Sequence, residues 1–91
     1  MPWPFDQPPN AACLTCDAVL NGAPILLVTH YDDDNAWAFL DGEPIDPEDA
    51  LTALMEELLT LHPDLAAIAD LPPGWTAYRE DALSPWERVK D

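Results

Sequence analysis

Pro24-Ile25-Leu26-Leu27-Val28-Thr29-His30-Tyr31 runs into Asp32-Asp33-Asp34-Asn35 and then into Ala36-Trp37-Ala38-Phe39-Leu40. The first segment is β-branched and apolar without alternation, as in a strand covered on both faces. The acidic quartet has the length and polarity of a hairpin loop. In the last segment Trp37 and Phe39 share one face and smaller residues the other, and Asp41-Gly42 closes it as a turn. Residues 25–40 are therefore expected to form an antiparallel hairpin, the centre from which the rest of the fold is read.

Upstream, residues 1–10 (Met1-Pro2-Trp3-Pro4-Phe5-Asp6-Gln7-Pro8-Pro9-Asn10) contain four prolines, which fix φ and remove backbone donors. They read as an extended arm before a single domain spanning 11–91. Ala11 to Leu20 reads as a strand, or a strand with a short turn, and Asn21-Gly22 as a turn. Downstream, Asp46 is a good helix N-cap, Pro47 suits the first helical position, and Glu48 and Asp49 suit the positive end of the dipole. Leu51, Leu54, Met55, Leu58 and Leu61 recur at three- and four-residue spacing, so one main helix is expected from about 46 to 61. Pro63 ends it and opens a short second helix through Asp70, burying Leu65, Ile68 and Ala69. Pro72-Pro73-Gly74 breaks the chain before a last strand with Trp75, Ala77 and Arg79 on one side. The tail, 84–89, is expected to pack through Trp86. The fold class expected is α+β: a small antiparallel sheet of three to four strands packed against one main α-helix, with a short second helix. Trp37, Phe39 and Trp75 should dominate its core.

Charge narrows the functional classes. The 91 residues carry 18 Asp and Glu against 3 Lys and Arg, a formal net charge of −15. Residues 1–78 hold fourteen acids and no base; Arg79, Arg88 and Lys90 are all in the last thirteen positions. Such a polyanion is repelled by nucleic acid and by anionic lipid, which leaves a basic protein as the expected partner. Like charge also favours a monomer or a weak dimer. There is no apolar run of membrane-spanning length and no secretory leader pattern near Met1, so the expected compartment is the cytoplasm.

The chemical motifs are sparse. Cys13-Leu14-Thr15-Cys16 is a C-x-x-C, but a redox pair of this kind sits at a helix N-terminus, and this one lies in a strand-like segment. His30 follows Cys16 at a zinc-finger separation, yet the positions for a second histidine hold Asp34, Asn35 and Ala36. Structural thiols are the expected reading, with no metal and no cofactor. His30 and His62 have no nucleophile at a catalytic spacing, and the chain lacks a glycine-rich phosphate loop, a nucleophile elbow and an H-E-x-x-H motif. Catalysis is not expected. The candidate partner-binding residues are Asp32, Asp33 and Asp34 at the hairpin tip, then Glu48, Glu56 and Glu57 on the helix. Trp3 and Trp86 either clamp the ends to the domain or supply apolar anchors.

Three stretches carry a family resemblance. They are Trp3 to Asn10, Asp33 to Gly42, and Leu71 to Glu80 followed by Pro85-Trp86. Together they resemble a family of small bacterial domains, first described only as of unknown function and since grouped with the predicted immunity proteins of polymorphic-toxin systems. The resemblance covers nearly the whole chain and implies an α+β fold and neutralisation of a cognate toxin by direct binding. It implies no catalytic residues, and the Cys13/Cys16 pair is not part of it. The alternative is a stand-alone structural or regulatory domain whose acidity serves solubility.

Overall fold

The computed structural model describes residues 10–32, 36–42, 48, 50–81 and 83–90. The expected hairpin is there. Strand β2 (Leu27–His30) pairs antiparallel with β3 (Trp37–Leu40), from Leu27 opposite Leu40 to His30 opposite Trp37. Gly42, just past β3, has φ +92°, and a Cβ there would stand 3.2 Å from the Leu26 Cβ, so the turn needs glycine.

Around this hairpin the sheet is larger than expected, and it is mixed. Strand β1 (Ala12–Thr15) lies parallel to β3, with Leu14 beside Ala38. Strand β5 (Trp75–Tyr78) pairs antiparallel with the other side of β2, and β6 (Glu87–Lys90) with β5. Strand β4 (Leu51–Leu54) pairs antiparallel with β1, giving six strands in the order β4-β1-β3-β2-β5-β6. The expectation of three to four antiparallel strands against one main helix is corrected accordingly.

Two physical reasons account for the difference. The helix expected from Asp46 to near His62 is, from Leu51 onward, a strand followed by a short helix, α2 (Met55–Leu61). Its proposed start at Asp46-Pro47 lies outside the described residues. Leu, Thr, Ala and Leu at 51–54 suit helix or strand, and a helix there would leave the outer row of β1 peptide groups without partners. Four register pairs from Ala12–Leu54 to Thr15–Leu51 fill that row. The second reason is β6. All four of its residues are exposed, so it carries no alternation of buried and exposed positions to reveal it.

Helix α1 (Asp17–Leu20), α2 and a 3-10 helix (Pro63–Ile68) cover one face of the sheet. Val19, Met55, Leu58, Leu65 and Ile68 form one cluster with Cys13, Val28, Trp37, Phe39, Ala53 and Ala77 from the strands. Leu65, Ile68 and Ala69 are buried as expected, as are Trp37 and Phe39, whose rings stack with centroids 5.7 Å apart. Trp75 is only half-buried.

Candidate functional site

The two histidines are built into the core. His30 is fully buried, stacks on Trp37 at 4.0 Å between centroids, and places Nδ1 2.7 Å from the Leu71 carbonyl oxygen. A carbonyl oxygen only accepts, so Nδ1 carries a proton and donates it. By the same argument the His62 Nε2–H donates to the Val19 carbonyl at 3.0 Å. Each imidazole thus joins two segments of the fold.

Cys13 and Cys16 are free, buried thiols. The Cys13 Sγ donates to the Ala53 carbonyl at 3.4 Å. Burial, and then the negative charge of Glu57, push its pKa from 9.0 up to about 12. A thiol held protonated at neutral pH is neither a nucleophile nor a ready metal ligand. Among the described residues no three His, Cys, Asp or Glu gather as a metal site.

Arg79 is the one base drawn into the interior. Its Nε donates to the Ile25 carbonyl at 3.0 Å and its Nη2 to Asp64 Oδ2 at 2.7 Å, while its guanidinium lies over the Trp86 ring. Arg88 Nη1 pairs with Asp70 at 2.8 Å, and its Nη2 donates to the Ala67 carbonyl. These two bases fasten β5 and β6 to the 3-10 helix. Trp86, one of the candidate anchors, is half-buried against Arg79 and the core.

The expected binding acids are only partly gathered by the fold. Asp32 is exposed just beyond β2, its carboxylate beside Gly74. Glu56 and Glu57 are exposed in the first turn of α2, which follows β4. The ends of β2 and β4 lie at the same end of the sheet, three strand spacings apart, about 14 Å. Glu48 is exposed and precedes β4, at its other end. Asp33, Asp34 and Trp3 lie outside the described residues.

A second group of acids was not singled out from sequence. The strand registers bring Leu51, Thr15, Leu40, Leu27, Tyr78 and Glu87 to one end of the sheet. Asp17 follows Thr15 there, and Glu80 and Asp81 follow Tyr78; all three are exposed. Asp81 accepts from the Leu83 N–H at 2.9 Å and the Ser84 hydroxyl at 3.1 Å, and these donors, Leu83 first, lower its pKa. Beside this turn lies an open depression of about 340 Å³ lined by Tyr78, Arg79, Glu80, Ser84, Pro85 and Glu87. Glu80 and Glu87 are seven positions apart in sequence; the β5–β6 pairing, which sets Tyr78 opposite Glu87, brings them to the same end of the sheet.

No protein-family model, curated protein or solved structure matches the chain. Among the described residues no helix is long and apolar enough to cross a membrane.

Proposed function

We propose that the chain is a non-catalytic acidic binding protein that neutralises a basic protein by direct contact, a toxin domain acting on nucleic acid being the fitting class. One observation carries the reading. Arg79 and Arg88, two of the three bases, are tied to Asp64 and Asp70, while Asp17, Asp32, Glu48, Glu56, Glu57, Glu80 and Glu87 are exposed. The charge offered outward is thus almost purely negative, which complements a cationic substrate groove and speeds encounter with it. The resemblance to immunity proteins supports the same reading, with the cytoplasm as the compartment where such a partner is met.

The test is capture of partners from the native host by the full chain, followed by calorimetry of the purified pair at two salt concentrations. The expected result is a basic partner whose affinity falls at least tenfold between 50 and 200 mM salt, on the order of the loss for an interface dominated by several charge contacts. Its own activity should be lost on binding. Failure to recover a basic partner, or binding indifferent to salt, overturns the proposal and favours acidity that serves solubility alone.

A further inference from the structure

The sheet ends in two edge strands of different chemistry. At one edge β6 carries Glu87, Arg88 and Lys90 among its four residues. Charges so placed are a usual means by which a sheet keeps an open edge from adding a further strand. At the other edge β4 has none. The run Ala50-Leu51-Thr52-Ala53-Leu54-Met55 is uncharged in a chain of which 23% is charged, and no proline interrupts it. Leu51 is 38% exposed, and Thr52 is exposed beside it.

The register fixes which peptide groups this edge offers. The Met55 N–H donates to the Ala11 carbonyl at 2.9 Å, one step beyond the Ala12–Leu54 pair. Bonded positions in an antiparallel ladder recur at every second residue, so Leu51, Ala53 and Met55 turn their peptide groups toward β1. Thr52 and Leu54 turn theirs the other way. Among the described residues nothing pairs with the Thr52 N–H and C=O or with the Leu54 N–H. These are the groups through which an extended chain is added to a sheet.

Acids stand at both ends of the edge. Glu48 precedes Leu51, and Asp17 follows Thr15, the residue paired with Leu51. Beyond Leu54 come Glu56 and Glu57 in the first turn of α2, and all four acids are exposed. We infer that the open edge of β4 takes an extended segment of a basic protein as a seventh strand. Main-chain bonds to Thr52 and Leu54 hold the segment, and its lysine or arginine side chains meet the acids at either end. The inference rests on the binding function proposed above and gives it a surface and a mode. β6 is the wrong edge for such a segment, because Arg88 and Lys90 repel it. A second copy of the chain is a poor occupant of β4. Antiparallel pairing of two such edges sets Glu56 and Glu57 of one copy toward Glu48 of the other, at a net charge of −15 each.

The test titrates isotope-labelled full chain with the peptide Lys-Lys-Val-Thr-Val-Thr-Val-Lys-Lys at low salt. An added strand protects alternate amides. The Thr52 and Leu54 N–H groups should therefore gain about tenfold in hydrogen-exchange protection, while those of Leu51 and Ala53, already bonded to β1, stay unchanged. Thr52→Pro removes an outward N–H without breaking a bond to β1 and should weaken binding about fivefold. Thr52→Lys puts a charge on the same exposed position, should weaken binding by about as much, and serves in place of the proline variant should that one unfold. Glu56→Gln with Glu57→Gln should cost about threefold and flatten the salt dependence. Protection spread evenly over 51–54, shifts centred on 87–90, indifference to the Thr52 variants, a dimer joined through β4, or no measurable binding each overturn the inference. The Thr52 variants applied to the partner captured from the host separate the two failures. A basic partner insensitive to them sinks the surface and keeps the function, whereas the peptide seated on β4 with no basic host partner sinks the function and keeps the surface.

Discussion

The Arg79 guanidinium lies 4.3 Å from the centre of the Trp86 ring, and this contact holds the segment entering β6 against β5. Arg79 lies on the helix-covered side, in alternation with Trp75 and Ala77, so its cation is sandwiched between the Trp86 ring, Asp64 and the Ile25 carbonyl. A charged side chain this well enclosed is tolerable only because its donors are matched.

Removing the cation should therefore be severe. Arg79→Ala leaves the Ile25 carbonyl and Asp64 without their donor and should lower stability by about 3 kcal/mol, within the range for breaking a buried pair. Arg79→Lys should recover less than half of it, because an ammonium cannot present the planar fork that reaches both acceptors and stacks on the indole. Urea unfolding of the three proteins checks this; full recovery by lysine would show that charge alone suffices.

Trp86→Ala should act locally. It removes the π face under the guanidinium and the packing that ties the tail to the core, a loss of about 1–2 kcal/mol. Because β6 is an edge strand with all four residues exposed, its amides at 87–90 should lose hydrogen-exchange protection while those of β2 and β3 keep theirs. Uniform loss of protection across the sheet would contradict a clasp role for Trp86.

His30 joins β2 to the segment before β5 through the Leu71 carbonyl. His30→Phe keeps an aromatic ring against Trp37 but orphans that buried carbonyl, with an expected loss of about 1–3 kcal/mol. His30→Ala should be worse, since it adds a cavity beside a large aromatic. A thermal unfolding series that ranks phenylalanine no better than alanine would mean that the hydrogen bond, and not the stack, dominates.

Cys13 makes a pH-dependent prediction. Its pKa is raised on folding from 9.0 to about 12, so below pH 9 the thiol is protonated in both states. Above pH 9 the unfolded chain releases a proton that the folded chain retains, and stability falls by about 1.4 kcal/mol per pH unit until the folded thiol itself ionises. Urea midpoints between pH 8.5 and 10.5 should decline more steeply in the native protein than in Cys13→Ala. Equal slopes would mean that the thiol is not held protonated. Iodoacetamide at pH 8 should correspondingly modify Cys13 only after unfolding.

Local signals were enough for some of this molecule. The β2–β3 hairpin, the strand at 75–78 and the buried face of Leu65, Ile68 and Ala69 all follow from patterns within ten or so residues, whereas the helix at Asp17–Leu20 stands where 11–20 reads as a strand, or a strand with a short turn. The stretch 51–54 does not. Its Leu-Thr-Ala-Leu fits a helical stripe with Met55, Leu58 and Leu61 as readily as a strand, and the decision lies forty residues away in the unpaired edge of β1. Glu87–Lys90 likewise has no hydrophobic pattern to read, since an edge strand exposed on both sides needs none.

Sequence by itself determined the magnitude of the charge, the confinement of all three bases to the last thirteen residues, and the central hairpin with its aromatic pair. These depend on composition and on side-chain alternation along a continuous segment. Tertiary structure alone decided the mixed six-stranded order, the burial of Arg79, and the meeting of Tyr78 and Glu87 across β5 and β6. Each of these depends on register between strands distant in the chain, and register is chosen by which peptide groups and apolar faces remain to be covered once the local elements have formed.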